Sequence, residues 1–183
     1  GYDKQVEAFQ VQLVEKGNTA PGETENAFKK KITSVTYQAH VADIGWQKYV
    51  AEGNVSGTTG LGKQMEAIKI ALNSKECTGS VEYRVHVADI GWQKYVSENT
   101  IGGTTGKGKQ MEAISVRLTG GMANKYDIYY RVHVADFGWL GWAKNGENAG
   151  SEGYGKQMEA IQIELIEKGD TFSGSTQNSF YVK

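Results

Sequence analysis

The string "HVADIGWQKYV" fills residues 40–50 and returns letter for letter at 86–96, and a variant, "HVADFGWLGWA", fills 133–143. Each copy is followed by an invariant "GKQMEAI", at 62–68, 108–114 and 155–161. The histidines of the three copies, His40, His86 and His133, lie 46 and then 47 residues apart. Units of this size are single supersecondary pieces that leave one apolar face uncovered, so they fold only by packing on their neighbours. This repetition narrows the choice of architecture more than any other feature of the chain.

A fourth, looser second-half unit, "DKQVEAF", stands at 3–9 with no tryptophan block before it, and "VEKGNTAPGETENAF" at 14–28 matches "IEKGDTFSGSTQNSF" at 166–180. The chain therefore begins in mid-repeat. Residues 1–31 are expected to be the end of a preceding repeat domain or a strand donor, and residues 35–183 a complete three-repeat domain. The opening strand, with Phe9, Val11 and Leu13 on one face, needs an edge or apolar surface to cover it. Docking on its own domain gives a closed monomer; docking on another copy gives self-association through residues 1–31.

Within each unit the apolar residues alternate instead of recurring at helical spacing, and the 24 glycines argue against long helices. In "VEYRVHVAD", Val81, Tyr83, Val85 and Val87 share the face expected to be buried, while Glu82, Arg84 and His86 share the other. In "MEAISVRL", Ile114, Val116 and Leu118 share a face, and Glu112 falls in register with them, as do Glu7, Glu66 and Glu159 in their copies. A carboxylate on such a face requires donors, expected from backbone amides or a tryptophan indole. "GWQKYV" reads as a short third strand, and "GTTG" or "GSEG" as a turn. Three such units imply an all-β body with pseudo-threefold symmetry, β-trefoil-like, with a β-prism of three small sheets as the alternative.

Composition excludes several functions. Twenty basic and 21 acidic residues give a net charge of -1, which offers no broad cationic surface for nucleic acid or an anionic membrane. No apolar run reaches the roughly 18 residues of a membrane span, and no signal-peptide core opens the chain, so any export signal is expected outside it. Cys77 is single and reads as an incidental thiol.

The stretch "YRVHVADIGWQKYV…GTTGKGKQMEAISVRL" resembles the clostridial hydrophobic repeats with a central tryptophan, the ChW repeats. The carriers are the His-Val pair, Ile/Phe-Gly-Trp at 44–46, 90–92 and 137–139, the Gly-Thr-Thr-Gly turns at 57–60 and 103–106, and the Glu-Ala-Ile strand. The chain departs where the family commonly has Gln-Asn after His-Val, here Ala-Asp, and where a common Trp is Tyr49 and Tyr95 but stays Trp142 in the third copy. The resemblance implies secretion by Gram-positive anaerobes, linkage to other extracellular domains, and a role in cell-surface adhesion or polysaccharide binding.

Catalysis is not expected. A catalytic centre is one asymmetric, pKa-tuned constellation, whereas this set occurs three times, and the His-Asp pair has no serine or cysteine nucleophile in step with it. One His and one Asp per unit make a poor metal site, and no cofactor is expected. Trp46, Trp92 and Trp139 suit two roles: plugs buried under a loop, or platforms on which a sugar ring stacks. In the second role His40, Asp43 and Gln47, then His86, Asp89 and Gln93, then His133 and Asp136 reach the sugar hydroxyls, and Trp142 is the aromatic expected to be exposed. The histidines are equally suited to bonding an acidic residue of their own repeat. The sequence thus points to a non-catalytic extracellular binding or adhesion module whose partner is a polysaccharide or cell-surface glycan, secreted or displayed at the cell surface. The alternative is a scaffold or filament subunit linked through the terminal half-repeat.

Overall fold

The computed structural model describes residues 11–19, 22, 33–74 and 76–183. Residues 1–32 and 33–183 form two compact units. Most of the opening segment, including Phe9 and with it the docking strand expected in "KQVEAFQVQL", lies outside the described residues.

The second unit is all-β and is built from three copies of one pattern. Repeat one contains β1 (Ser34–Val41), β2 (Gly45–Trp46), β3 (Val50–Ala51), β4 (Ser56–Gly57) and β5 (Met65–Asn73). Repeat two contains β6 (Val81–Val87), β7 (Gly91–Trp92), β8 (Val96–Ser97), β9 (Gly102–Gly103) and β10 (Met111–Leu118). A one-turn helix, α1 (Gly120–Lys125), leads into repeat three: β11 (Tyr126–Val134), β12 (Gly138–Trp139), β13 (Ala143–Lys144), β14 (Asn148–Glu152) and β15 (Met158–Glu167). A final strand, β16 (Phe180–Val182), closes the chain. The expected single short strand in "GWQKYV" is two strands of two residues each, both paired to the first long strand.

The two long strands of each repeat pair antiparallel: β1 with β5, β6 with β10 and β11 with β15. Period-two burial follows the sequence: Val81, Tyr83, Val85 and Val87 are fully buried and the residues between them are not. The free edge of each second strand is closed by the next repeat. β5 takes β9, β10 takes β14, and β15 takes β4, so the third repeat returns to the first. The result is three interlocked sheets in pseudo-threefold order, none closed into a barrel, a layout compatible with the trefoil-like and prism-like expectations alike.

Three tyrosines plug the core. Tyr37, Tyr83 and Tyr130 are fully buried, and each hydroxyl spans a seam. It donates to a carbonyl of its own repeat, at Asn54, Thr100 or Glu147. It also accepts an amide of the preceding repeat in the ring, from Ile163, Ile70 and Val116. Burial is the main force raising these phenols, opposed by the backbone amides, and Tyr83 is pushed up to about 12. They therefore remain protonated donors throughout the physiological range.

The expectation for Trp142 is corrected, and the three central tryptophans are not fully buried plugs. Trp46, Trp92 and Trp139 are half-buried on the outer side of their sheets, because the tyrosines, not the indoles, fill the core. Trp142 is only 7 % exposed, because the tail after the last repeat folds over it. Phe172 packs edge-on against it at 5.2 Å and stacks on Tyr129 at 3.8 Å, and the Trp142 amide donates to the Ser175 carbonyl at 2.9 Å. A side chain at position 174 would strike both rings, so glycine is required there. Tyr49, in the matching position of repeat one, has no such cover and is 45 % exposed.

The seams depend on one glycine each. Gly57, Gly103 and Gly150 have φ of 105°, 103° and 120° and lie so close to the facing strand that a Cβ would stand 2.3 Å from the carbonyl oxygens of Glu159, Glu66 and Glu112. Gly106, with φ 67°, faces open space. Gly103→Ala is therefore expected to cost about 3 kcal/mol or more, from left-handed strain plus backbone overlap, while Gly106→Ala costs about 1 kcal/mol from strain alone. Urea unfolding of the two variants measures the difference.

Candidate functional site

The two repeated blocks meet at the end of each long hairpin, and nearly every letter acquires a role there. A β-bulge interrupts the pairing at the same place in all three repeats, between the partners of His40 and Val41, His86 and Val87, and His133 and Val134. The extra residues are Glu66, Glu112 and Glu159. A bulge inserts one unpaired residue and shifts the side-chain alternation, so each glutamate leaves the apolar face and turns to the histidine side. Their side chains are buried, and the carboxylates lie 3.2, 3.1 and 3.1 Å from the Nδ1 atoms of His40, His86 and His133.

The glutamates are buried and partnered as expected, but the donors differ from those expected. Gln64, Gln110 and Gln157 donate through Nε2 to Oε1 of the glutamate two residues on, at 3.2, 3.0 and 3.0 Å. The histidine Nδ1 atoms are shielded from solvent and close to Oε2, yet the N–H does not aim along that line, so the contact is close without being a straight hydrogen bond. Nε2 is left as the ring nitrogen that faces the opening.

Each histidine is set by its cross-strand neighbour. His40 pairs with Trp46, His86 with Trp92 and His133 with Trp139, with the rings nearly perpendicular at 5.3, 5.5 and 5.6 Å. A cation covers each indole: Lys69 over Trp46, Arg84 over Trp92 and Arg131 over Trp139, at 5.1, 4.7 and 4.8 Å. The aspartates sit at the tip of the turn in the left-handed region, φ 62°, 62° and 68°, which short polar side chains tolerate better than most. They bind Lys63, Lys109 and Lys156 at 2.5 Å. The hydrogen bond from that lysine holds the Asp43 and Asp89 carboxyls below the usual carboxylate range.

These groups wall three clefts of about 740, 630 and 550 Å³, around His40, His86 and His133 respectively. Every cleft straddles a seam. The first is completed by Gly106 and Gly108 of repeat two, the second by Gly153 and Gly155 of repeat three, and the third by Gly60 and Gly62 of repeat one.

Of the residues singled out in the sequence, the histidines and aspartates line the clefts, and the three central tryptophans stand directly behind the histidines. Gln47 and Gln93 serve elsewhere, each clasping the seam glycine of its own repeat: Gly57 N–H donates to Gln47 Oε1 at 2.7 Å, and Gly103 N–H to Gln93 Oε1 at 2.9 Å. Leu140 takes that position in repeat three and is buried. Trp142 lies apart, under Phe172. The "GKQMEAI" lysine and glutamine were not expected in the site, and the glutamate only as an acidic partner of the histidine, although the invariance of that block between copies was a signal for all three. Among the described residues, no group of three His, Cys, Asp or Glu side chains is disposed to hold a metal ion.

A family model described as clostridial hydrophobic W matches residues 40–74, 86–120 and 133–167, more than half of the chain. The chain belongs to the clostridial hydrophobic W family. Neither a curated protein nor a solved structure gives a significant match. Each ChW match starts at its cleft histidine and runs through the second long strand, so the unit contains the whole His, Trp, Asp, Lys, Gln and Glu set of one cleft, while the glycines that complete the cleft belong to the next ChW unit. Glu112→Ala leaves the Gln110 amide without its acceptor, removes the carboxylate beside His86 Nδ1 and is expected to destabilise the domain by about 1–3 kcal/mol. Thermal unfolding at neutral pH measures it.

Proposed function

We propose that the chain is a non-catalytic binding or adhesion module, secreted or held at the cell surface, that takes carbohydrate in its seam clefts. The observation that carries this reading is the threefold recurrence of one polar wall, a histidine, an Asp–Lys pair and a Gln-held glutamate, in front of a half-buried indole. Donors and acceptors fixed in a shallow cleft suit the hydroxyls of a sugar, and the volumes are in the range of small-ligand sites. The wall is rigid because each group is tied to another, so little ordering is needed on binding. Repetition around one axis also favours a polymeric partner, since weak sites gain avidity when several engage one polysaccharide. The same repetition argues against catalysis, which requires one asymmetric constellation with separated acid and base roles.

The test is a glycan array probed with the intact chain and with the double variant Trp46→Ala, Trp139→Ala. The expected result is binding to one class of glycan by the intact chain and a loss of at least tenfold in the variant. Absence of binding to every glycan, or equal binding by the variant, contradicts the reading.

A further inference from the structure

The three clefts are not chemically equal. The turn that completes a cleft reads Gly-Thr-Thr-Gly in repeats one and two but Gly-Ser-Glu-Gly in repeat three. Its third residue is Thr105 at the first cleft and Thr59 at the third, both exposed. At the second cleft it is Glu152, which lines the wall. The Glu152 Oε2 accepts the Trp92 indole N–H at 3.1 Å, and its Oε1 lies 3.9 Å from His86 Nε2. Among the described residues, no acceptor is bonded to the indole N–H of Trp46 or Trp139.

The tail reinforces this difference. β14 has five residues where β4 and β9 have two, and β16 pairs along its outer side in parallel, matching Glu152 with Val182. The Lys183 amide donates to the Glu152 carbonyl at 3.0 Å, fixing the backbone that carries the carboxylate. Phe180 packs on Trp92 with its ring centre 6.4 Å away. Strand, carboxylate and aromatic ring therefore converge on the second cleft alone.

We propose that Glu152 is a built-in occupant of the second cleft. Its two oxygens take the positions that a ligand's hydroxyl oxygens would take against the indole N–H and the histidine Nε2. The domain then presents two sites, at His40 and His133, whose indole N–H no carboxylate among the described residues takes. The third, still about 630 Å³ in volume, has an indole N–H and a histidine Nε2 that already face a carboxylate of their own chain. The identity of the ligand rests on the carbohydrate reading above; the occupancy itself does not.

Two measurements decide it. The first, made without ligand, is solvent exchange of the indole Nε1 protons by nuclear magnetic resonance. In the intact chain Trp92 is expected to exchange at least tenfold more slowly than Trp46 and Trp139, and in Glu152→Thr, which installs the residue found at 59 and 105, its exchange should accelerate by a similar factor. Equal exchange at the three indoles of the intact chain, or a Trp92 rate that Glu152→Thr does not change, overturns the proposal. The second is calorimetric titration with chitohexaose and with cellohexaose, covering clefts one, two and three together. Two sites in the intact chain and three in Glu152→Thr support it, and three in both overturn it. If neither sugar binds either protein, the carbohydrate reading fails for these glycans, and the indole exchange still decides whether Glu152 holds the Trp92 indole.

Discussion

Every second long strand in this domain has one edge that its own repeat leaves open. An open edge exposes unpaired amides and carbonyls and invites association with other chains. Here the edge is met by a short strand of the next repeat, and the approach is so close that only glycine fits, at Gly57, Gly103 and Gly150. Because the third repeat returns to the first, these seams have no terminal member. The tyrosine hydroxyls cross the same three boundaries from inside, so core and seam are closed by the same geometry. A single repeat thus has neither a covered face nor a satisfied edge, which is why the spelling recurs at nearly constant spacing.

The clefts are a consequence of this closure. The bulge at the end of each hairpin brings a glutamate to the histidine side, and the neighbouring repeat's glycine turn walls off the space in front of them. The buried carboxylate is tolerated because the glutamine and the imidazole stand against it. The same His–Glu contact therefore stiffens the hairpin end and orients Nε2 outward. Of the two histidine roles left open in the sequence, the contact with an acidic residue of its own repeat is made through Nδ1, which leaves Nε2 on the cleft side of the ring.

Strand alternation, the repeat register and the buried valine and tyrosine face were legible in the sequence because they depend on neighbours two residues apart. The bulge was not legible. It preserves the letters "MEAI" while changing which side of the strand Glu112 occupies, and period-two counting carries no mark of an inserted residue. Gln47 and Gln93 looked like ligand groups because they adjoin the tryptophans; their partners, the seam glycines, lie ten residues on and were not suggested by local pattern. Trp142 looked exposed because it replaces tyrosines that are less covered in the other repeats. Its cover, Phe172, comes from the tail that follows the last repeat only. What escaped the sequence is in each case set by a partner outside the two-residue neighbourhood that strand alternation reads.

Closure of the ring, not the individual repeat, is the unit of stability in this domain. Urea unfolding of residues 33–183 against the two-repeat piece 33–120, followed by circular dichroism and amide exchange, tests it most directly. One cooperative transition is expected for the three-repeat domain and no cooperative transition or protected core in the two-repeat piece, whose seams to repeat three are open. A two-repeat piece that unfolds cooperatively with about two thirds of the denaturant dependence, as stacked independent repeats would, would contradict it.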